Sequence, residues 1–395
     1  MNYHMSGFAE KIKQIMVKFK DLAAIGSSNL LVSAISAGFW FYIAAILGES
    51  SYGEVSYFIA IANIASTIAF IGAGNTVLVY TAKNLNINNS IFSVTIISGL
   101  ITSIVVFLLV KNIETSIFVL GYVIFGLAIN EVLGRKQYKK YAKYLLTQRA
   151  LQVGLSLGLY YVIGIEGIIF GYALSFLPYL IKVIPIIQNS EKNFGLLKNK
   201  IGFMLNSYSV DLTRTFSVYT DKLIIFPIFG FALLGNYQIG IQYLTILSIL
   251  PNVIFQYILP HDASGRENKK LKIATILVSV IISTISILII PIIVPIFLPA
   301  FKTAIILIQI LSLAIVPKTI SMMFMSKFLG NEKSKIVVTG TIIYLITQIS
   351  GILVLGEFYG IEGAAWSLII ASGFEAVFLF GVNTLDKNKN LQSNV

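Results

Sequence analysis

The chain has 395 residues, 56% of them hydrophobic and only 12% charged, with a formal net charge of +12. A soluble domain carries about one quarter charged residues, so this composition, with a mean hydropathy of +0.85, excludes an ordinary soluble enzyme and reads as a polytopic membrane protein. The lack of Cys excludes disulfides, thiolate nucleophiles and Cys-ligated metals, and two histidines, His4 and His261, are too few for a His-rich metal centre.

The stretch 1–21 alternates Lys11, Lys13, Lys18 and Lys20 with Ile12, Ile15, Met16, Val17 and Phe19. Such a basic, amphipathic pattern is expected to lie as a helix at the cytoplasmic membrane interface and to lead into an uncleaved first span. At about 20 apolar residues per crossing, twelve spans follow, near 22–47, 54–79, 90–110, 113–133, 145–164, 167–188, 202–228, 235–259, 272–298, 303–326, 336–356 and 362–383. A cytoplasmic tail, 384–395, closes the chain. The fold class expected is therefore all-α, with about twelve transmembrane helices in an N-lobe (22–190) and a C-lobe (201–383) of six spans each, around a central cavity. No loop is long enough to form an extramembrane domain.

The basic residues orient the spans. With both termini cytoplasmic, the inward loops hold 23 of the 29 lysines and arginines, including the dense run Arg135, Lys136, Lys139, Lys140, Lys143 and Arg149. The outward side keeps Lys111 and Lys302 beside Glu49, Glu54, Glu166, Glu357 and Glu362. This is the asymmetry of the positive-inside rule. It accounts for the +12 without nucleic acid as a partner; the chain is expected in the cytoplasmic membrane, with lipid headgroups against its basic loops. No Walker-type glycine pattern accompanies those loops, so no nucleotide cofactor is expected.

An internal repeat relates the halves. Gly164-Ile165-Glu166-Gly167 before span 6 matches Gly360-Ile361-Glu362-Gly363 before span 12, 196 positions later, and Gly53-Glu54-Val55 echoes Gly235-Asn236-Tyr237 at a spacing of 182. With an even number of spans per half, both halves share one orientation across the membrane.

Span 7 carries an unusual load of charge. In the stretch 201–230, Ser207, Asp211, Arg214, Val218, Asp221 and Lys222 fall within about a third of the helix circumference. Such a stripe must turn from lipid toward protein or a watery cavity. Lys182 and Lys318, in the inner halves of spans 6 and 10, are expected to snorkel. Glu375, within span 12, has no basic neighbour in sequence; a charge there would cost about 3 kcal/mol in lipid.

Several fragments resemble polysaccharide-type flippases. Leu47-Gly48-Glu49-Ser50-Ser51-Tyr52-Gly53 and Ile71-Gly72-Ala73-Gly74-Asn75 are similar to the family's first hairpin, and Asp221-Lys222-Leu223-Ile224-Ile225 with Leu234-Gly235-Asn236-Tyr237 to its span 7–8 turn. Leu250-Pro251 with Leu259-Pro260, the stretch from Phe297 to Ala304, and the Gly360–Ala365 run resemble its spans 8, 10 and 12. Occurring in order along nearly the whole chain, they resemble Wzx-like O-antigen flippases of the multidrug/oligosaccharidyl-lipid/polysaccharide (MOP) exporter superfamily. Members often carry an Arg in span 1 where this chain has Ala44-Ala45-Ile46, so a phosphate contact there is not carried over.

The resemblance implies a transporter rather than an enzyme, with a polyprenyl-(pyro)phosphate-linked oligosaccharide as substrate, membrane lipids as neighbours, other polysaccharide-assembly proteins as partners, and no need of an oligomer. Such a head group must cross inside a hydrated cavity, because each unpaired hydroxyl costs several kcal/mol in hydrocarbon. Cations suit its phosphate, and amides, hydroxyls and aromatic faces suit its sugars. Arg214 is the candidate phosphate ligand, with Asp211, Asp221 and Lys222 on its stripe; the alternative is a structural ion pair that neutralises it. Asn29, Asn75, Gln242, Asn252 and Gln256 are candidate cavity amides, together with Ser27, Ser28 and Asn63, or else glue between helices. Asp211, Asp221 and Glu375 are candidates for proton or ion coupling. The rival readings are an ion-coupled drug or small-molecule exporter of the same superfamily, a major-facilitator carrier, and a membrane polysaccharide polymerase.

Overall fold

The structure, a computed structural model, describes the backbone of residues 2–85, 87–189 and 192–392, with side chains for 26–85, 87–188 and 192–386. The side chains of the expected interfacial stretch 1–21, and of 387–395 in the expected tail, lie outside the described residues. Among the described residues the chain is helical throughout, with no strand. The helices run α1 (Asn2–Phe70), α2 (Ala73–Ala82), α3 (Asn88–Val110), α4 (Ile113–Gly134), α5 (Tyr138–Ile163), α6 (Glu166–Leu174), a 3-10 turn (Leu177–Tyr179) and α7 (Leu180–Asn189). There follow α8 (Phe194–Asn199), α9 (Ile201–Leu247), α10 (Ile249–Ala263), α11 (Lys269–Phe297), α12 (Ala304–Leu313), α13 (Ile315–Gly330) and α14 (Ser334–Gln392).

Eight of these runs are long and apolar enough to cross a membrane. Three of the eight, 26–70, 201–247 and 334–386, have 45, 47 and 53 residues. At 1.5 Å per residue each is roughly twice the thickness of a bilayer core, and each is broken at one glycine into two arms. Gly48 (φ 72°, ψ 177°), Gly230 (φ 79°, ψ 175°) and Gly360 (φ 60°, ψ −145°) are the break points. This backbone region is open to glycine almost alone, so the chain reverses within one residue. The three doubled runs, the five single ones and α5, whose lysines lower its hydropathy, give the twelve rods expected from the sequence.

Proline explains most of the other interruptions. A proline has no N–H to offer the carbonyl four residues earlier. Helix α6 ends at Leu174, four before Pro178; α9 ends at Leu247, four before Pro251; α12 ends at Leu313, four before Pro317. Each span continues after a short adjustment, as membrane helices permit.

The repeat reaches into atomic packing. Gly48 and Gly230 break their helices 182 positions apart, and Gly164 (φ 80°) and Gly360 repeat the left-handed turn at 196. Gly167 sits against the carbonyl of Leu159, and Gly363 against that of Leu355, again 196 apart. The two hairpins opened by Gly48 and Gly230 meet reciprocally: a methyl on Gly53 would overlap the Phe231 carbonyl oxygen, and one on Gly235 would overlap that of Glu49. Asn236 donates a 2.6 Å hydrogen bond to the Glu49 carboxylate beside this crossing. Gly53→Ala and Gly235→Ala are each expected to destabilise by about 1–3 kcal/mol, as overpacked sites do. The double change should cost less than the two summed, because one parting of the hairpins relieves both; additive losses in thermal unfolding of the detergent-solubilised protein would refute the shared contact.

The chain divides into two compact units. The first comprises Met1–Phe39 with Ala62–Asp211, the second Trp40–Ile61 with Leu212–Val395. In the first, Phe118, Ala173 and Phe176 form a core with Tyr122, Phe125 and Tyr172, in which the Phe118 ring meets Tyr172 and Phe176 edge-on. In the second, Ile225, Leu234, Tyr237, Leu311, Ile352 and Ala364 belong to one buried cluster contributed by α9, α12 and α14. Residues such as Leu109, Val162, Leu288 and Phe358 stand exposed on spanning helices, the outward apolar surface a bilayer requires.

Candidate functional site

The second unit encloses a knot of ionisable side chains. On α9, Asp221 is 4% and Lys222 3% exposed. Successive helical residues point about 100° apart, yet the Lys222 ammonium folds back to 3.0 Å from Asp221 Oδ1 and donates to the Val218 carbonyl at 2.9 Å. The Lys222 amide donates to the same Oδ1 at 2.8 Å, and Tyr237 Oη donates to Oδ2 at 3.1 Å. Both oxygens of Asp221 are therefore occupied, as a buried carboxylate requires.

Around this pair stand groups from three further spans. Lys318 of α13 is half-buried and lies within electrostatic reach of Glu375, Asp221 and Lys222. Glu375 of α14 is 7% exposed and faces Ser321, Lys318 and Thr341. Tyr344 and Gln348, one and two turns further along the first arm of α14 from Thr341, close the group beside Tyr237. The cluster gathers two carboxylates and two amines, a formally balanced set of four ionisable groups.

The other expected site residues fall elsewhere. Arg214, about halfway along the first arm of α9, is exposed, and among the described residues no carboxylate lies within ion-pair distance of it. Asp211 is half-buried, within electrostatic reach of Tyr122 in the first unit. Asn29, Asn75, Asn252 and Gln256 are exposed, and Asn63 and Gln242 half-buried. Asn252 donates to the Ser248 carbonyl of its own helix at 2.8 Å. Thus Asp221, Lys222 and Glu375 come together in one cluster; Arg214 and these amides do not join it. Among the described residues no group of three His, Asp or Glu is placed to hold a metal ion.

Sequence reasoning missed Lys318, Tyr237, Tyr344 and Gln348 as members of this cluster. Lys318, expected to snorkel, turns inward because Glu375 gives it a counter-charge. Lys182 likewise reaches the fully buried Glu131 at 3.2 Å, and Arg135 pairs with the same carboxylate. The available signal was charge balance: each acid inside a span needs a cation from another span at similar depth. A third network, toward the end of the second unit, joins Asp262 to Lys272 (2.7 Å) and Ser326 (2.6 Å), and Lys327 to Asn383 (2.7 Å).

No family model and no curated protein matches the chain by sequence. Solved structures do match by fold. An inward-facing multidrug-resistance MATE transporter of the MOP superfamily aligns over 91% of this chain and 95% of its own, at 13% identity and a TM-score of 0.74. The lipid II flippase MurJ, in an inward closed conformation, aligns over 91% of this chain and 87% of its own, at 13% identity and 0.73. An outward-facing MATE transporter of the same superfamily aligns over 93% and 94%, at 15% identity and 0.60. The chain carries the fold these proteins share. At such identities the likeness is one of fold.

Proposed function

We propose that this protein is a flippase that moves a polyprenyl-(pyro)phosphate-linked oligosaccharide across the cytoplasmic membrane by alternating access, for assembly of a surface polysaccharide. Both termini are cytoplasmic in this reading, as the distribution of lysine and arginine requires. The observation that carries it is the state of Arg214. Its neighbours on the stripe are committed: Asp221 to Lys222 and Tyr237, and Asp211 to surroundings of its own. The guanidinium is left exposed in the middle of a spanning arm. Facing hydrocarbon it would cost about 3 kcal/mol or more; facing a hydrated path it is a two-pronged donor suited to phosphate. The exposed amides of Asn29, Asn75, Asn252 and Gln256, with half-buried Gln242, supply sugar-binding groups on the same reading. Coupling to a proton or ion gradient runs through Asp211, Asp221 or Glu375, and the assembly proteins that make and polymerise the glycan are the expected partners; no oligomer is required.

A drug or small-molecule exporter is the second reading, favoured by the equal likeness of fold to the MATE transporter. Purified protein in liposomes, given a fluorescent lipid-linked oligosaccharide and separately a cationic dye, separates the two. The proposal expects the lipid-linked head group to become accessible on the far side and the dye to stay put. Dye export without lipid translocation would replace it with the second reading.

A further inference from the structure

Beside the fifth span the first unit has a cleft of about 630 Å³ with a distinct chemistry. One wall is the face of α5 bearing Lys140, Lys143, Tyr144 and Thr147, spaced so that a helix sets them side by side. The other is the interrupted sixth span, where Pro178 ends α6 and the 3-10 turn brings Tyr179 and Lys182 round to face α5. The walls are fixed to each other: Tyr179 Oη donates to the Tyr144 carbonyl at 2.6 Å, and the two rings lie 5.1 Å apart.

The charges in this cleft are unevenly committed. Lys182 answers buried Glu131. Lys140 and Lys143 are exposed, and among the described residues neither has a carboxylate within ion-pair distance; Lys140 is held over the Tyr144 ring at 5.7 Å. On the cleft wall Ile181 is 81% exposed. The cleft therefore combines two ammonium groups without a carboxylate partner among the described residues, a Thr hydroxyl and a bare aliphatic side chain.

The geometry points to a binding site for an anionic glycerophospholipid of the membrane itself, with its phosphodiester between Lys140 and Lys143 and an acyl chain against the exposed side chain of Ile181. Ammonium groups serve as point charges for phosphate. A free phosphate would leave Ile181 unused, and a neutral lipid would leave the lysines unanswered. The leaflet is the one faced by the basic loops, where anionic headgroups gather. This site is built from α5, the 3-10 turn and α7 alone and does not depend on what the protein transports.

The test uses the full-length protein, delipidated in detergent and then offered phosphatidylglycerol, phosphatidylcholine, a polyprenyl diphosphate or inorganic phosphate, with retained lipid read by native mass spectrometry. Phosphatidylglycerol should be retained over phosphatidylcholine. The variant K140Q/K143Q should lose that retention by about thirtyfold, with its thermal midpoint in phosphatidylcholine unchanged; Lys182 is kept so that Glu131 is not stranded. Equal retention of the two phospholipids, or wild-type retention by the variant, would overturn the site. So would displacement of phosphatidylglycerol by the polyprenyl diphosphate, which would make the cleft part of the substrate route, or binding of inorganic phosphate as tight as the lipid's. Each of these results leaves the liposome translocation assay to stand or fall separately.

Discussion

Replacing Arg214 with alanine is expected to lower translocation of a lipid-linked oligosaccharide by about tenfold to a hundredfold while the protein still folds. The magnitude follows from the loss of charge-assisted hydrogen bonds to a phosphate, worth roughly 1.5–3 kcal/mol. The fold survives because the side chain is exposed and carries no ion pair among the described residues; substitutions at such sites usually stay within about 0.5 kcal/mol. Arg214→Lys keeps the charge and loses the planar fork, so it should fall between wild type and alanine. Initial rates in proteoliposomes, normalised to reconstituted protein, measure the effect. Undiminished translocation by Arg214→Ala would remove the phosphate role and leave the guanidinium without a stated purpose.

The second large effect lies within the buried cluster. Asp221→Asn leaves the ammonium of buried Lys222 without its carboxylate. Stranding one member of a buried pair costs about 3–5 kcal/mol, which in a unit of this size lowers the unfolding midpoint by roughly 10 °C. Lys222→Met should cost less, because Tyr237 and the backbone amide of residue 222 still serve the carboxylate. The double variant, Asp221→Asn with Lys222→Met, should regain most of the loss, since a neutral, volume-matched replacement of a buried pair is often near neutral. Thermal unfolding of all four proteins closes the cycle, and additive losses would mean the two side chains do not act as a pair. Transport by the double variant then sorts structure from coupling. If Asp221 only anchors the helix, activity returns with stability; if it carries a coupling ion, stability returns alone.

Different parts of this molecule were legible in the sequence for different reasons. Span number and helix breaks are local. Twenty apolar residues make a crossing wherever they occur, a proline strips its helix of one bond, and Gly48, Gly230 and Gly360 mark the turns by themselves. The repeat was visible as two short motifs and proved to be a set of backbone contacts at the same spacings, Gly167 on Leu159 and Gly363 on Leu355. The stripe on α9 was legible as a stripe. What periodicity could not show is that its members part company: adjacent Asp221 and Lys222 turn inward to Tyr237, and Arg214 stays exposed. Tyr344 and Gln348 gave no sign, because one amide or one phenol in an apolar span reads the same whether it meets a charge or glues two helices.

The sequence by itself determined that this chain is a multi-pass membrane protein of twelve helical rods with a repeat between its halves. Those properties follow from hydropathy and from proline and glycine chemistry, each of which acts over a few residues. Only the tertiary structure decided which charges meet. Lys318 finds Glu375 across 57 positions, and Lys182 finds Glu131 across 51. A charge buried in a medium that cannot solvate it must be answered from another helix. Which helix answers is a matter of depth and facing, and neither is written in the order of the residues.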